Sequence, residues 1–274
     1  MVETEYRIPG SPRIALLADF HNGDPEPIIA SLYSHRDHLD LIIIAGDLIY
    51  GSHPEDDKSP LESQKNVMPL LTSCVSNAPT YLALGNHEWC LLADDLDRIS
   101  STGVVILDNE FVATTINGTL ISIGGLTSAY VLSYRQFLSS LQPSKRALIR
   151  YPKRESIALP EREKKADREE LMPSISWLDA FSHTAGFRLL VSHHPEYYDL
   201  FPSVDLVVCG HTHGAQMRFK IGGRWIGAFA PGQGLLPKFC YGRYGNMIIS
   251  SGLTNTTWVP RVNNPTEIVY INPW

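Results

Sequence analysis

The chain lacks a long apolar run, a paired-cysteine motif, an excess of basic charge and any internal repeat, and each lack removes a class of function. Nothing in its 274 residues approaches the roughly 20 consecutive apolar residues of a membrane-spanning helix. Met1 to Arg13 is polar and holds Glu and Pro, so it predicts neither a signal peptide nor an anchor. The four cysteines, Cys74, Cys90, Cys209 and Cys240, include no close pair. That excludes a thiolate metal knuckle, argues against a disulfide framework and points to a reducing compartment. With 23 Lys plus Arg against 29 Asp plus Glu, the formal charge is -6, which disfavours a general nucleic-acid coat. A phosphorylated substrate stays compatible, because bound metal ions can supply positive charge locally. The expected location is cytoplasmic, with peripheral membrane contact left open. What remains, at 43% hydrophobic and 19% charged residues, is a globular chain long enough for a substantial core.

For the first hundred residues apolar runs alternate with helical stretches. Asp24 to Leu39 is opened by Pro25 and Pro27 and sets Ile28, Ile29, Leu32 and Tyr33 on one helical face. Pro60 to Cys74 and Leu91 to Thr102 read as further helices. From Val104 the rhythm changes to short strands, Val104 to Leu107, Phe111 to Ile116 and Leu120 to Gly124. Asn117-Gly118 between the last two is a strong hairpin signal. Strands resume at Phe187, Asp205 and Met217, and Asn246 to Ser250 and Glu267 to Ile271 close the chain. A single domain is expected, with a helix and loop insertion at about 130–175. Within it, Leu141 to Glu170 holds nine Lys or Arg and six Asp or Glu, a local +3 against -9 elsewhere. It predicts a solvated surface segment, or a cap that meets an anionic substrate.

Five short segments carry the chemistry: Ala-Asp-Phe-His (18–21), Gly-Asp (46–47), Gly-Asn-His-Glu (85–88), His-His-Pro (193–195) and Gly-His-Thr-His (210–213). Each follows a strand-like run, so strand ends can gather Asp19, His21, Asp47, Asn86, His193, His211 and His213 at one sheet edge. Taken singly, such an Asp or Asn is more often a helix cap or turn residue. Taken jointly, carboxylate, amide and imidazole donors in this number suit a two-metal hydrolytic centre. A carboxylate at Asp47 can offer one oxygen to each of two ions. Mixed oxygen and nitrogen donors without thiolate favour Mn, Fe, Zn or Co over structural zinc or calcium.

In this order the motifs resemble the calcineurin-like metallophosphoesterase family, from Asp19 to His213. Gly-His-Thr-His-Gly with Gln216, and the later stretch from Gly252 to Arg261, resemble its bacterial phosphodiesterase branch, often found near membranes. The resemblance implies an α/β fold, a four-layer αββα sandwich with two mixed sheets and outer helices. It implies that Asp19, His21, Asp47 and His213 hold one divalent ion and that Asp47, Asn86, His193 and His211 hold the second, with Asp47 bridging. A hydroxide between the ions would attack phosphorus, and His87 would be a general acid or a donor to the phosphoryl oxygens. His194 competes with His193, since both precede Pro195; the family's ligand usually stands two residues before that proline, which favours His193.

One position departs from the family pattern. Many relatives carry an Asp three residues after the bridging one, where it orients the catalytic histidine; here Tyr50 stands there. Glu88 and the Tyr50 hydroxyl are the alternative partners for His87. The implied activity is a dinuclear-metal phosphoester hydrolase of phosphodiesterase type, on a phosphorylated small-molecule or lipid-linked substrate, with no obligate nucleic acid. A nuclease of the same chemistry and a non-catalytic scaffold are the other readings. His35, His38, His53 and His183 lie outside the motifs and read as surface or core residues. Gly232 to Gly245, with Leu235, Leu236, Phe239, Tyr241, Tyr244, Lys238 and Arg243, reads as a packed loop or as a substrate or membrane-surface lip.

Overall fold

A computed structural model describes residues 1–51, 59–132, 172–222, 224–256 and 259–274. Its strands, in chain order, are β1 (Val2–Arg7), β2 (Ile14–Leu17), β3 (Leu41–Ala45), β4 (Thr80–Ala83), β5 (Val105–Leu107), β6 (Glu110–Ile116), β7 (Thr119–Leu126), β8 (Phe187–Ser192), β9 (Leu206–Cys209), β10 (Arg218–Ile221), β11 (Arg224–Gly227), β12 (Phe229–Ala230), β13 (Gly234–Leu235), β14 (Gly242–Tyr244), β15 (Met247–Ile249) and β16 (Glu267–Asn272). The helices are α1 (Glu26–His35), α2 (Val67–Asn77), α3 (Ala93–Ser100) and α4 (Leu178–Ser182). Two six-stranded sheets form, in the orders β1-β16-β2-β3-β4-β5 and β14-β15-β9-β8-β7-β6. Both are mixed: β16 runs antiparallel to β2 in the first, and β6–β7 and β14–β15 are antiparallel in the second.

The runs that read as strands from their apolar content form the middle of each sheet. β3 is Leu-Ile-Ile-Ile-Ala and is buried at every position, as a central parallel strand covered on both faces must be. Its alternate residues Leu41, Ile43 and Ala45 meet Ile123, Leu189, Val191 and Val208 between the two sheets. Ile42 and Ile44 turn outward against Ile28 and Leu32 of α1, Leu70 and Leu71 of α2 and Ile99 of α3. The outer face of the second sheet, Leu190, Val207, Cys209 and Ile249, packs on Leu178 and Phe181 of α4. The result is the expected four layers, helix, sheet, sheet, helix. Each fully buried Leu or Ile contributes about 1.5–3 kcal/mol, so the two faces of β3 hold the second sheet on one side and the helices on the other.

Asn117 (φ 49) and Gly118 (φ 80) both take the left-handed backbone that a two-residue hairpin needs, and Ile116 pairs with Thr119 across them. Elsewhere the expectations shift. Ile28 and Leu32 are buried on α1, but Tyr33 is 61% exposed and carries the Arg36 guanidinium over its ring. α2 starts at Val67 rather than at Pro60, because the residues before it are committed elsewhere: Gln64 Oε1 accepts from Tyr50 N, and Gln64 Nε2 donates to Tyr50 O. Gly232 to Gly245 is not a loop throughout, since β13 pairs with β12 and β14 with β15. The expected insertion falls on 133–171 for most of its length, outside the described residues, as does His53. Among the described residues no helix is long and apolar enough to cross a membrane.

Candidate metal centre

The predicted ligands all leave the carboxyl ends of strands: Asp19 and His21 after β2, Asp47 after β3, Asn86 and His87 after β4, His193 after β8, His211 and His213 after β9. β2, β3 and β4 are mutually parallel, as are β8 and β9, so each sheet delivers its ligands at one edge. The edges are joined through the centre itself. His193 Nδ1 donates to Ala45 O at 2.7 Å, and the His211 amide donates to both Asp19 oxygens at 3.1 Å.

The backbone at this junction is strained. Asp19, His21, Asp47, His211 and His213 all have φ between 45° and 70°. Each non-glycine residue in that region costs on the order of 1 kcal/mol or more, and such strain collects where side chains must be aimed. Hydrogen bonds hold the turns: Asp19 N to Gly46 O, His21 N to Asp47 O, and His87 N to Asp47 Oδ1 at 2.8 Å. Gly85 admits no side chain, because a Cβ there would press on the Asp47 carboxylate and backbone.

The side chains converge in two groups, which a third group of His21, Asp47 and His87 links. Asp19, His21 and His213 place one potential ligand atom each within 4.8 Å of one another, and so do Asp47, His193 and His211. Asp47 Oδ2 lies 3.0 Å from His193 Nε2, without hydrogen-bond alignment, and 3.6 Å from His21 Nε2. His213 Nε2 lies 3.6 Å from Asp19 Oδ1. His21 Nδ1 faces Ile49 O, and His193 Nδ1 faces Ala45 O. In the neutral rings that leaves an Nε2 lone pair pointing into the centre. Those two Nε2 atoms and Asn86 Oδ1 are buried without a hydrogen-bond partner. Buried polar atoms are normally satisfied. Two unsatisfied imidazole acceptors beside the buried Asp19 and Asp47 carboxylates, with a third unsatisfied acceptor at Asn86, therefore fit the binding of cations.

The electrostatics agree. Burial pulls His21 down to about 3 against the Asp47 charge, and it lowers His213 as well. Burial works against His193 too, but Asp47 and Asp19 raise it to about 10. Asp47, despite its burial, is held well below the carboxylate range by the histidines around it. The pair thus demands positive charge where His193 faces Asp47, a demand that a proton or a metal ion meets.

His194 points away from this group: Nε2 lies 2.8 Å from Ser128 Oγ and Nδ1 3.0 Å from Glu196 Oε1. Glu196 Oε1 also stands 3.3 Å from His211 Nε2, which sets a carboxylate against the His211 ring. Neither alternative partner serves His87. Its Nδ1 accepts the Gly51 amide at 2.9 Å, which leaves the ring hydrogen on Nε2, 3.9 Å from Asp47 Oδ2. Tyr50 is 46% exposed, with its ring centroid 5.6 Å from that of His87. Glu88 is buried and accepts four amides, from Leu48 and Ile49 on Oε1 and from Asp47 and Gly85 on Oε2. Burial and the Asp47 charge push it up to about 7. Arg261 donates to Ser251 O and Thr254 O and sets Nη2 3.3 Å from His213 Nδ1. Glu196 and Ser128 had no role in the sequence reading, and Arg261 entered it only as the end of the Gly252 to Arg261 stretch. Glu196, one residue beyond His-His-Pro, carried a positional signal; Ser128 carried none.

A family model described as calcineurin-like phosphoesterase matches residues 12–215. An uncharacterized protein of Bacillus subtilis (strain 168), YpbG, is 25% identical over 220 residues, which cover 78% of this chain and 66% of that protein, just under two thirds of its length. Similar solved structures include a phosphopantetheinyl hydrolase from Mycobacterium tuberculosis (15% identity, 80% of this chain and 88% of that one, TM-score 0.38). They also include a dimetal phosphatase from Danio rerio (14% identity, 88% and 87%, TM-score 0.43). A third is the NAD nucleotidase of Haemophilus influenzae (14% identity, 95% and 44%, TM-score 0.46). The family model spans most of the chain and reaches from the strand before Asp19 past His213; the chain belongs to the calcineurin-like phosphoesterase family.

Proposed function

We propose that the protein is a two-metal phosphoester hydrolase acting on phosphodiesters. The observation that carries this reading is the convergence of Asp19, His21 and His213, and of Asp47, His193 and His211, around buried acceptor atoms that no protein group satisfies. Asp19, His21 and His213 would hold one ion and Asn86, His193 and His211 the other, with Asp47 between them. The donors are oxygen and imidazole nitrogen, which suits Mn, Fe, Zn or Co. Two such ions, when bound, lower the pKa of a shared water and hold the oxygens of an in-line displacement at phosphorus.

The chain's own residues supply the rest. Gly51 fixes the His87 tautomer, so His87 presents an Nε2 hydrogen from a side chain that is 28% exposed, the most accessible of the rings around Asp47. It serves as a donor to a non-bridging phosphoryl oxygen. Glu88 holds the turn that carries Asp47, and Glu196 orients His211. The test is reconstitution with manganese followed by turnover of bis-p-nitrophenyl phosphate. Expected are about two ions per chain and turnover that chelation abolishes, both lost in Asp47→Ala. Metal-loaded protein inert toward a panel of phosphomonoesters and diesters would overturn the reading.

A further inference from the structure

His213 has a second side. Besides its place beside Asp19, it lines an open cavity of about 240 Å³ together, among the described residues, with Thr212, Gln216, Met217, Ala228, Phe229, Pro231 and Val259. The polar groups in that wall are committed within the protein. Thr212 Oγ donates to Cys240 O, and Gln216 Nε2 donates to Asn255 Oδ1 and Val259 O. What faces the cavity is mostly carbon. A dry apolar cavity of roughly 150 Å³ takes up benzene, so this one accommodates a longer hydrocarbon. A nucleobase would leave its edge polar groups unpaired there, at about 1–3 kcal/mol each.

The apolar surface continues outward. Ala228 N donates to Met217 O, and from that pair the β10–β11 hairpin extends with Phe219 opposite Ile226 and Ile221 opposite Arg224. Side chains alternate between faces along a strand. Met217, Phe219 and Ile221 therefore share one face with Ala228 and Ile226, and Phe219 and Ile221 are 48% and 61% exposed. On the other side of the mouth Phe229 pairs with Leu235, which is 80% exposed, and Leu236 beside it is 72% exposed. A run of large apolar side chains thus begins at the cavity that His213 lines and ends in water.

We propose that this cavity and run of side chains bind the hydrocarbon chain of an amphiphilic phosphodiester whose phosphate lies at the metal centre. The inference rests on the hydrolase reading above and names its substrate class. His213 belongs both to the candidate centre and to the lining of the cavity, and that continuity selects the occupant: a chain attached to phosphorus at the centre lies beside the cavity's entrance.

The test uses p-nitrophenyl n-alkyl phosphates from methyl to decyl, kept below their micelle concentrations, on manganese-loaded full-length protein. Hydrolysis adds water at phosphorus and releases p-nitrophenol, leaving the alkyl phosphate. Each methylene that enters the cavity should raise kcat/KM about fourfold, until the cavity is filled. Ala228→Phe, which fills the cavity, should flatten that slope whatever its rate on the methyl ester. Phe229→Ser, at a half-exposed position that places little demand on folding, should reduce it. A second readout does not depend on turnover: calorimetric Kd values for n-alkylphosphonates should tighten with chain length in wild type and not in Ala228→Phe. Absence of turnover with chain-dependent phosphonate binding would remove the hydrolase reading and leave the chain site standing. Turnover of every ester at one rate, with phosphonates of equal Kd, would overturn the chain site alone. Equal rates combined with sedimentation on phosphatidylcholine and phosphatidylglycerol vesicles would reassign the exposed side chains to a bilayer surface, and so overturn it too.

Discussion

Two glutamates flank the centre, Glu88 buried under the first sheet's turns and Glu196 half-buried beside the second sheet's loops, and they work in different ways. Glu88, under the first sheet's turns, spends both oxygens on four backbone amides from Gly85, Asp47, Leu48 and Ile49. Glu196, beside the second sheet's loops, spends one oxygen on two imidazoles, 3.0 Å from His194 and 3.3 Å from His211, and its other oxygen is buried without a partner. One carboxylate templates a backbone turn; the other tunes side chains. Asp47 is therefore placed by main-chain geometry that forms with the fold, whereas His211 is placed by a charge that its neighbours can alter. Their ionisation follows suit. Burial and the Asp47 charge push Glu88 up to about 7, while His211 and His194 hold Glu196 well below the usual range despite its burial.

The largest effect that breaks this contrast is expected from Glu88→Gln. The amide replaces one oxygen by an NH2 that faces two backbone donors, and two unsatisfied buried donors cost about 2–5 kcal/mol together. Denaturant unfolding of the chelated protein should show that loss, with metal stoichiometry falling only as the fold does. The sign of its pH dependence is fixed. Glu88 is raised above its ordinary 4.5, so its contribution is full below pH 4.5 and declines as pH rises toward 7. The stability gap between wild type and Glu88→Gln should narrow over that window. A gap of less than about 1 kcal/mol at pH 4.5 would remove the templating role.

The two supports were unequally legible in the sequence, and the reason is physical. The candidate ligands could be read because each follows an apolar run whose strand identity is strong; Leu41 to Ala45 into Asp47 is the clearest case. Asn117-Gly118 could be read because two consecutive left-handed residues leave few other sequences. β1 escaped because Glu3, Glu5 and Arg7 suit an edge strand as well as a loop, and its parallel partner β16 comes from the other end of the chain. Glu88 was visible beside His87, but its partners are amides, which have no letter in the sequence. Glu196 meets histidines that only the fold brings to it. The choice between His193 and His194 turns on which ring reaches Asp47, and adjacent residues on an extended chain point oppositely.

Glu196→Gln should sharpen the contrast in the other direction. Carboxylates behind metal-bound histidines typically matter by 10–100-fold in metal affinity or activity. The variant should lose about that factor in manganese affinity, measured by competition with a chelator. Its stability should change little at neutral pH, because the unpartnered oxygen stops being a buried charge. Any stability difference should have a pH dependence opposite to that of Glu88: a carboxylate held below 4.5 contributes above that pH, and the contribution disappears as pH falls through its folded value. An unaltered metal affinity would reduce Glu196 to a packing residue.

The smallest expected effect lies one step further out. Ser128 Oγ accepts the Tyr130 amide and meets His194 Nε2 at 2.8 Å, while the other nitrogen of that ring meets Glu196. Ser128, His194 and Glu196 thus form a hydrogen-bonded line that ends on His211. The line resembles a nucleophile triad in its residue types, but Ser128 is fully buried and cannot meet a substrate. Its role is to hold the His194 ring so that Glu196 keeps its place. Ser128→Ala removes two neutral hydrogen bonds, to His194 and from the Tyr130 amide, and should cost about 1–2 kcal/mol of stability. Metal affinity should shift far less than in Glu196→Gln, because His194 keeps its bond to the carboxylate. If Ser128→Ala instead matched Glu196→Gln in lost manganese affinity, the line would be acting as one unit, and the difference between the two glutamates would be one of length rather than of kind.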